Sequence, residues 1–351
     1  MTNVMLVHCG ETQHYRIPVY TKLAELLKSS GFSLTIVTEG LQKGVSKPFD
    51  ISHYVGRLSV LRLTREIVKS GCSVVIFFGG LRYKYALPTY FIAKYILSKK
   101  VIYWGHGSDL AAPQVTIKNW GYWIEQAVSD AIILYADHLM KYIPERFHDK
   151  CFIAANTLCP PDYTFDIEER ISILENYGIK TRKNIVCVGR MQRRKRIENL
   201  IAAHNLMGRD DVGLILVGPD CDGILQGPSI RNVSWVDALY GSRLYRLLSS
   251  ADVFCLPGAI GLSIVDAFNC GLPIVTEAGD ESPEISYLKD GKNGFIVPKG
   301  DIESLAKKLI LLLDDDSLRE RFSVEAKREA IESASIEKMC EGFRDALLYV
   351  T

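Results

Sequence analysis

The sequence predicts an α/β protein of two domains, each a parallel sheet flanked by helices. Three observations carry this expectation. At 351 residues the chain exceeds the ~100–200 residues usual for one domain. Its 48% apolar and 24% charged residues are the balance of an ordinary folded chain. Short apolar runs alternate with helix-like stretches, stop near residue 160 and then resume, the pattern of parallel sheets with crossover helices. The expected division is residues 1–160 and 161–335.

Residues 4–8 read as the first strand. Residues 17–29 follow as a helix, with Pro18 in its first turn, where a missing amide proton matters little, and Leu23, Leu26 and Leu27 on one face. Residues 33–38 form the second strand. The runs 73–78 and 101–104 end in Gly79-Gly80 and Gly105-His106-Gly107, loops of the kind found at carboxyl edges of strands. Ligands of open parallel sheets bind at those edges, so topology places His106 at a candidate site. Strands at 131–135 and 152–155 complete the first half, and Cys159-Pro160-Pro161-Asp162 marks the linker. A second sheet is expected from 185–188, 214–217, 253–256, 273–276 and 294–297. Helices follow Asp301; the last, from about 336 to 349, puts Met339, Phe343, Leu347 and Leu348 at apolar spacings. No repeat of fixed period relates the halves.

Net charge is +1, unevenly placed: residues 1–160 hold 18 lysines and arginines against 11 aspartates and glutamates. A basic half suits an anionic partner. The start carries no basic region with a cleavage site and no apolar run reaches membrane-span length, so a cytoplasmic chain is expected. Nine single cysteines without a Cys-x-x-Cys pair read as free thiols rather than a zinc site or disulfide framework.

The strongest chemical signal is Val188-Gly189-Arg190-Met191-Gln192-Arg193-Arg194-Lys195-Arg196, a strand entering a glycine turn and a cation cluster. Such groups neutralise a pyrophosphate: Arg190 can fork onto two oxygens, Lys195 acts as a point charge, and the next helix start offers amides. With Gly189, Arg190 and Lys195 so spaced, the chain resembles glycosyltransferase family 4, the retaining enzymes also called glycosyl transferases group 1. Further motifs carry the resemblance through the second half: 232–237, 251–254, 266–275, 283–285 and 290–295.

The resemblance implies the GT-B fold, two Rossmann-like domains with parallel sheets facing an interdomain cleft, the terminal helix 336–351 joining the first domain. It also implies transfer from a UDP- or GDP-sugar with the acceptor attacking the face that the phosphate leaves. Catalytic roles fall to Arg190, Lys195 and His106, and donor binding to Gly10, Gly189, Gly218, Pro219, Asp237, Leu239, Gly258, Ala259, Ile260, Gly261, Leu262 and Asp266. The family's two glutamates seven residues apart survive only in part. Asp266 keeps the second carboxylate, an acceptor for ribose hydroxyls, whereas Gly258 stands at the first. The turn 259–262 is expected to aim amides at the donor. No cofactor, metal or nucleic acid is expected. The rival metal reading of Asp220-Cys221-Asp222 gives way to a glycine loop, and Asp314-Asp315-Asp316 reads as a solvated helix start.

Tyr83, Lys84, Tyr85, Tyr90, Phe91, Lys94, Tyr95, Lys99 and Lys100, with Trp120, Tyr122 and Trp123, mix aromatics and cations as interfacial segments do. They suggest a saccharide or lipid-linked saccharide acceptor at an anionic membrane face, as in surface polysaccharide synthesis. The same segment also suits a helix buried on the sheet's flank with lysines reaching outward. A nucleotide-sugar epimerase of similar architecture and a catalytically silent nucleotide-sugar-binding subunit are the alternatives.

Overall fold

A strand flanked on both sides in a parallel sheet must be apolar on both faces, and residues Val4 to Val7 meet that condition at no more than 1% exposure each. They form the middle of β1 (Thr2–Thr12) in a computed structural model that describes residues 1–41, 53–110, 116–225, 230–279 and 282–351. The other strands of this sheet are β2 (Phe32–Leu41), β3 (His53–Val55), β4 (Val74–Phe78), β5 (Lys100–Gly105), β6 (Ala131–Leu134) and β7 (Cys151–Ile153). Their order is β3-β2-β1-β4-β5-β6-β7, with every pairing parallel. Helices α1 (Arg16–Ser29), α2 (Val60–Ser70), α3 (Ala86–Phe91) and α4 (Thr116–Val128) connect them.

The second sheet comprises β8 (Lys183–Val188), β9 (Val212–Val217), β10 (Val233–Val236), β11 (Val253–Cys255), β12 (Ile274–Glu277) and β13 (Gly294–Val297). It runs β10-β9-β8-β11-β12-β13, again all parallel. Its helices are α5 (Arg170–Glu175), α6 (Ile197–Met207), α7 (Ser242–Ser249), α8 (Ser263–Asn269), α9 (Ile302–Asp314) and α10 (Asp316–Glu332), followed by α11 (Ile336–Val350). In each sheet the strand order reverses once, between β1 and β4 and between β8 and β11. Loops leaving the strands at such a reversal splay apart and leave a crevice at their carboxyl ends. The predicted residues Gly189 to Lys195 lie on a loop of this kind, as does the turn 258–262, whereas Gly10 lies within β1, where the register with β2 shifts between His8 and Glu11.

The chain divides into two compact units, Met1–Cys159 with Ser335–Thr351 and Pro160–Ala334. Helix α11 buries Met339, Phe343 and Leu347 completely, in the core that also holds Trp104 and Leu134. Leu348, expected on that apolar face, is instead 59% exposed. Strands run longer than their apolar cores, since parallel pairing of β1 and β2 continues through polar residues to Thr12 and Leu41. The edge strands β3 and β10 were not legible as strands because neither carries a run apolar on both faces. Asp315 caps α10 by accepting from the Leu318 amide at 2.9 Å, the helix start expected of the triple aspartate. All nine cysteines are free; five are buried, three half-buried, and Cys221 is exposed. Among the described residues no helix is long and apolar enough to cross a membrane.

Gly342 allows α11 to close on β7, because a β-carbon there would overlap the Ile153 carbonyl oxygen and lie 2.6 Å from its carbon. Gly342→Val is therefore expected to destabilise the amino-terminal unit by about 1–3 kcal/mol through overpacking. A urea transition unchanged from wild type would contradict this contact.

Candidate functional site

Strand β8 delivers its chain to Gly189, whose amide donates to the Val217 carbonyl at 2.9 Å, and Gly218 donates in turn to Val236 at 2.9 Å. These bonds carry the three strand ends β8, β9 and β10 side by side. Gly218 has φ +133°, and a β-carbon on it would overlap the Gly189 carbonyl oxygen. Only glycine lets the two loops cross at this distance. Pro219 accepts from the Met191 amide at 2.9 Å, and the Trp235 indole donates to the Gly218 carbonyl at 2.8 Å, a brace that the sequence reading did not single out. Asp237 is exposed and Leu239 half-buried just beyond β10, at the same edge of the sheet.

The basic run resolves into cations with different surroundings. Arg190, Arg193 and Arg194 are exposed, while Lys195 is only 8% exposed. Arg196 takes a left-handed backbone, φ 53° and ψ 41°, which ends the short 3₁₀ turn Arg193–Lys195 and opens α6. Its guanidinium pairs with Glu277, which is fully buried and also accepts from Asn199 at 2.7 Å and from the Gly300 amide at 2.8 Å. That pair holds the turn in place, and Arg196 is not an additional free charge. Glu277 ends β12 at a carboxyl edge, which is the one sequence signal that could have found it.

The Lys195 ammonium donates to the Ala259 carbonyl at 2.8 Å. Running the other way, the Gly258 amide donates to the Lys195 carbonyl at 2.9 Å and the Ala259 amide to Arg194 at 3.3 Å. The cationic turn after β8 and the turn after β11 are thus clasped backbone to backbone. A β-carbon at 258 would overlap the Arg194 carbonyl oxygen and stand 2.6 Å from Lys195 Cα. The absence of a carboxylate at this position is therefore a steric requirement of the clasp. It also corrects the expectation that the whole turn aims amides outward, because those of Gly258 and Ala259 are consumed inside the protein. The amides of Gly261 and Leu262 make no hydrogen bond among the described residues, and Ile260 is buried beneath them.

Helix α8 carries Asp266, half-buried one turn beyond. Burial pushes its carboxyl up to about 7, and the Tyr245 hydroxyl beside it pulls modestly the other way. Asp220 accepts from the Ile224 and Leu225 amides at 2.9 Å, and Asp222 from the Arg193 amide at 2.9 Å, so both carboxylates of the Asp-x-Asp segment serve as loop caps.

The remaining predicted residues belong to the amino-terminal unit. His106 follows β5 and lies on the Tyr135 ring, 4.8 Å between centroids. Burial, then the charges of Arg16 and Arg82, lower its pKa to about 4, so the imidazole is neutral at pH 7. Gly10 has φ +86°, and the Tyr83 hydroxyl sits over its α-carbon.

Residues 169–329 match the family described as Glycosyl transferases group 1. A phosphatidyl-myo-inositol mannosyltransferase of Mycobacterium leprae is 34% identical over 129 residues, 35% of this chain and 34% of that protein. The sulfoquinovosyl transferase SQD2 of Arabidopsis thaliana is 29% identical over 153 residues, 41% of this chain and 29% of that protein. The matched stretches thus span about a third of these curated relatives. The crystal structure of Anabaena HepE in complex with UDP and glucose superposes with a TM-score of 0.76 at 15% identity, covering 99% of this chain and 100% of that one. This likeness shows the fold, GT-B with two Rossmann-like domains.

Two outcomes follow from the geometry. Gly258→Ala is expected to cost about 1–3 kcal/mol of stability by forcing the clasp open, and Gly258→Glu at least as much; a Gly258→Glu variant as stable as wild type in urea would show that the site has room. The folded Asp266 carboxyl holds a proton that the unfolded one releases near 3.8, so it favours the folded state less and less as pH rises from about 4 to about 7. Asp266→Asn removes this loss and should raise the urea midpoint at pH 8, with little change at pH 4.

Proposed function

Because residues 169–329 match the group 1 glycosyl transferases, we propose that this chain is one of them and moves a sugar from a UDP- or GDP-linked donor to a saccharide or lipid-linked saccharide, retaining anomeric configuration and using no metal. The observation that carries this reading is the clasp at the β8–β11 reversal, which brings the turn of Arg190 and Lys195 beside the Gly261 and Leu262 amides, unpaired among the described residues. Fixed cations and amides at a strand-end crevice suit a diphosphate better than any neutral ligand. HepE, of the same fold, was solved with UDP and glucose, which supports a nucleotide-sugar donor.

In this reading Arg190 forks onto the diphosphate and Lys195 places a desolvated positive charge against the leaving oxygens. Asp266 accepts from ribose hydroxyls, and Gly189, Gly218, Pro219, Asp237 and Leu239 line the nucleotide. His106 and Gly10 act from the amino-terminal unit, the neutral imidazole offering one donor and one acceptor to sugar hydroxyls. Negative charge on the leaving diphosphate grows as the glycosidic bond breaks, so cations already in position stabilise the transition state more than the ground state. The departing phosphate takes the acceptor's proton, and no side-chain base is called on. Asp220 and Asp222, engaged with backbone amides, support the metal-free reading.

The acceptor is proposed to be presented at an anionic membrane face. Phe91, Tyr95, Ile96, Trp120 and Ile124 are exposed on and around α3 and α4, which contact each other, and the exposed Lys84 and Lys100 flank them. Tyr90, by contrast, is fully buried and belongs to the core. Apolar rings beside lysines combine insertion with attraction to anionic headgroups.

Lys195→Ala is expected to leave the fold intact and lower turnover of the nucleotide sugar by about 10²–10³-fold. Nucleotide release by the folded variant at the wild-type rate would refute the role. In flotation with anionic vesicles at low salt, wild-type protein should rise with the lipid and Trp120→Ser/Tyr95→Ser should not; failure of the wild type to float removes the membrane proposal.

A further inference from the structure

The carboxyl-terminal part of α4 buries two consecutive polar side chains, Glu125 at 1% and Gln126 at 0% exposure. Gln126 Nε2 donates to the Gly107 carbonyl at 2.7 Å, and the Gly107 amide donates to the Tyr103 hydroxyl at 2.9 Å. The loop bearing His106 is thereby tied through both the amide and the carbonyl of Gly107. Glu125 points the other way, toward the loop that ends β4, and a β-carbon at Gly80 would overlap its Oε1. That oxygen is buried and makes no hydrogen bond among the described residues.

The groups whose fields couple to Glu125 are Cys9 from β1, Tyr90 from α3, Tyr103 from β5 and Tyr122 from α4 itself. Farther out, Glu39 from β2 acts on Cys9 and Arg82 on Tyr122. Burial pushes the thiol and all three hydroxyls upward, so each stays uncharged near neutrality. Among the described residues, none of the groups so coupled to Glu125 is a cation. An ionised carboxylate here would be desolvated with no donor on Oε1 and no countercharge among the described residues, a state that a buried acid avoids by keeping its proton. Burial accordingly raises the Glu125 carboxyl to about 8.

We infer that Glu125 is a positioning residue that works as an uncharged acid, packing the β4 loop while Gln126 ties the β5 loop, so that the two together set the place of His106. The inference rests on the proposed role of His106 in glycosyl transfer. Its sign follows from burial: below about pH 8 the carboxyl is neutral and the loops hold their places; above it, charge builds up against Gly80 and the tyrosine hydroxyls, and the loops shift to hydrate it.

Two NMR signals test this without any donor or acceptor. In wild-type protein labelled with ¹³C at glutamate carboxyls, the Glu125 signal should titrate with a midpoint near 8, and the His106 imidazole signal should show an inflection at the same pH. In Glu125→Gln, a neutral isostere, the His106 inflection near 8 should vanish while its pH 7 position is kept. A Glu125 midpoint in the ordinary range near 4.5 overturns the inference even if the variant does not fold, as does the same His106 inflection in Glu125→Gln. Because neither readout uses turnover, their failure leaves the glycosyl-transfer reading to the Lys195→Ala assay, and failure of that assay leaves these results standing.

Discussion

A reciprocal clasp between two turns organises the candidate site: Lys195 donates to the Ala259 carbonyl, and Gly258 donates back to the Lys195 carbonyl. Its members leave adjacent strands, β8 and β11, at the point where the order of the second sheet reverses. Backbone hydrogen bonds of this kind set the spacing between the cationic turn and the start of α8 to within a few tenths of an ångström. A site that must hold a diphosphate gains from that rigidity, because donors already aimed need no reorganisation when charge develops. The same constraint dictates Gly258, whose α-carbon is roofed by Arg194 and Lys195.

Several ionisable groups at the strand edges share one physical condition, desolvation. It lowers His106 to about 4 and raises Asp266 to about 7 and Glu125 to about 8. All three are therefore largely or partly uncharged near neutrality, and at Asp266 and Glu125 this comes at the expense of stability above about pH 4. Such groups are costly as structure and useful as chemistry, since a neutral imidazole or a carboxyl near its pKa can both give and take hydrogen bonds. Glu277, fully buried too, is hydrogen-bonded by Arg196 and Asn199 and serves the scaffold instead.

The two units handle their edges differently. In the carboxyl-terminal unit, loops are joined to one another by backbone bonds across Gly189, Gly218 and Gly258. In the amino-terminal unit, the irregular end of β1 and the loops after β4 and β5 are held by side chains: Tyr83 over Gly10, Glu125 against Gly80 and Gln126 on Gly107. Side-chain fastening yields more readily than a backbone ladder.

Much was legible in the residues alone. Alternating apolar runs announced two parallel sheets, Cys159-Pro160-Pro161 marked the passage between them, and the spacing of Gly189, Arg190 and Lys195 carried the resemblance to the group 1 glycosyl transferases, which residues 169–329 match, because periodicity, proline geometry and residue spacing are properties of short segments. What needed the tertiary structure were relations between segments distant in the chain. Only the packed fold decides that Arg196 is neutralised by Glu277, that Gly258 has no room for a side chain, that Leu348 faces outward and that Glu125 is buried with its Oε1 unpaired among the described residues. Each depends on what lies within a few ångströms across the sheet. A linear pattern carries no information about that distance.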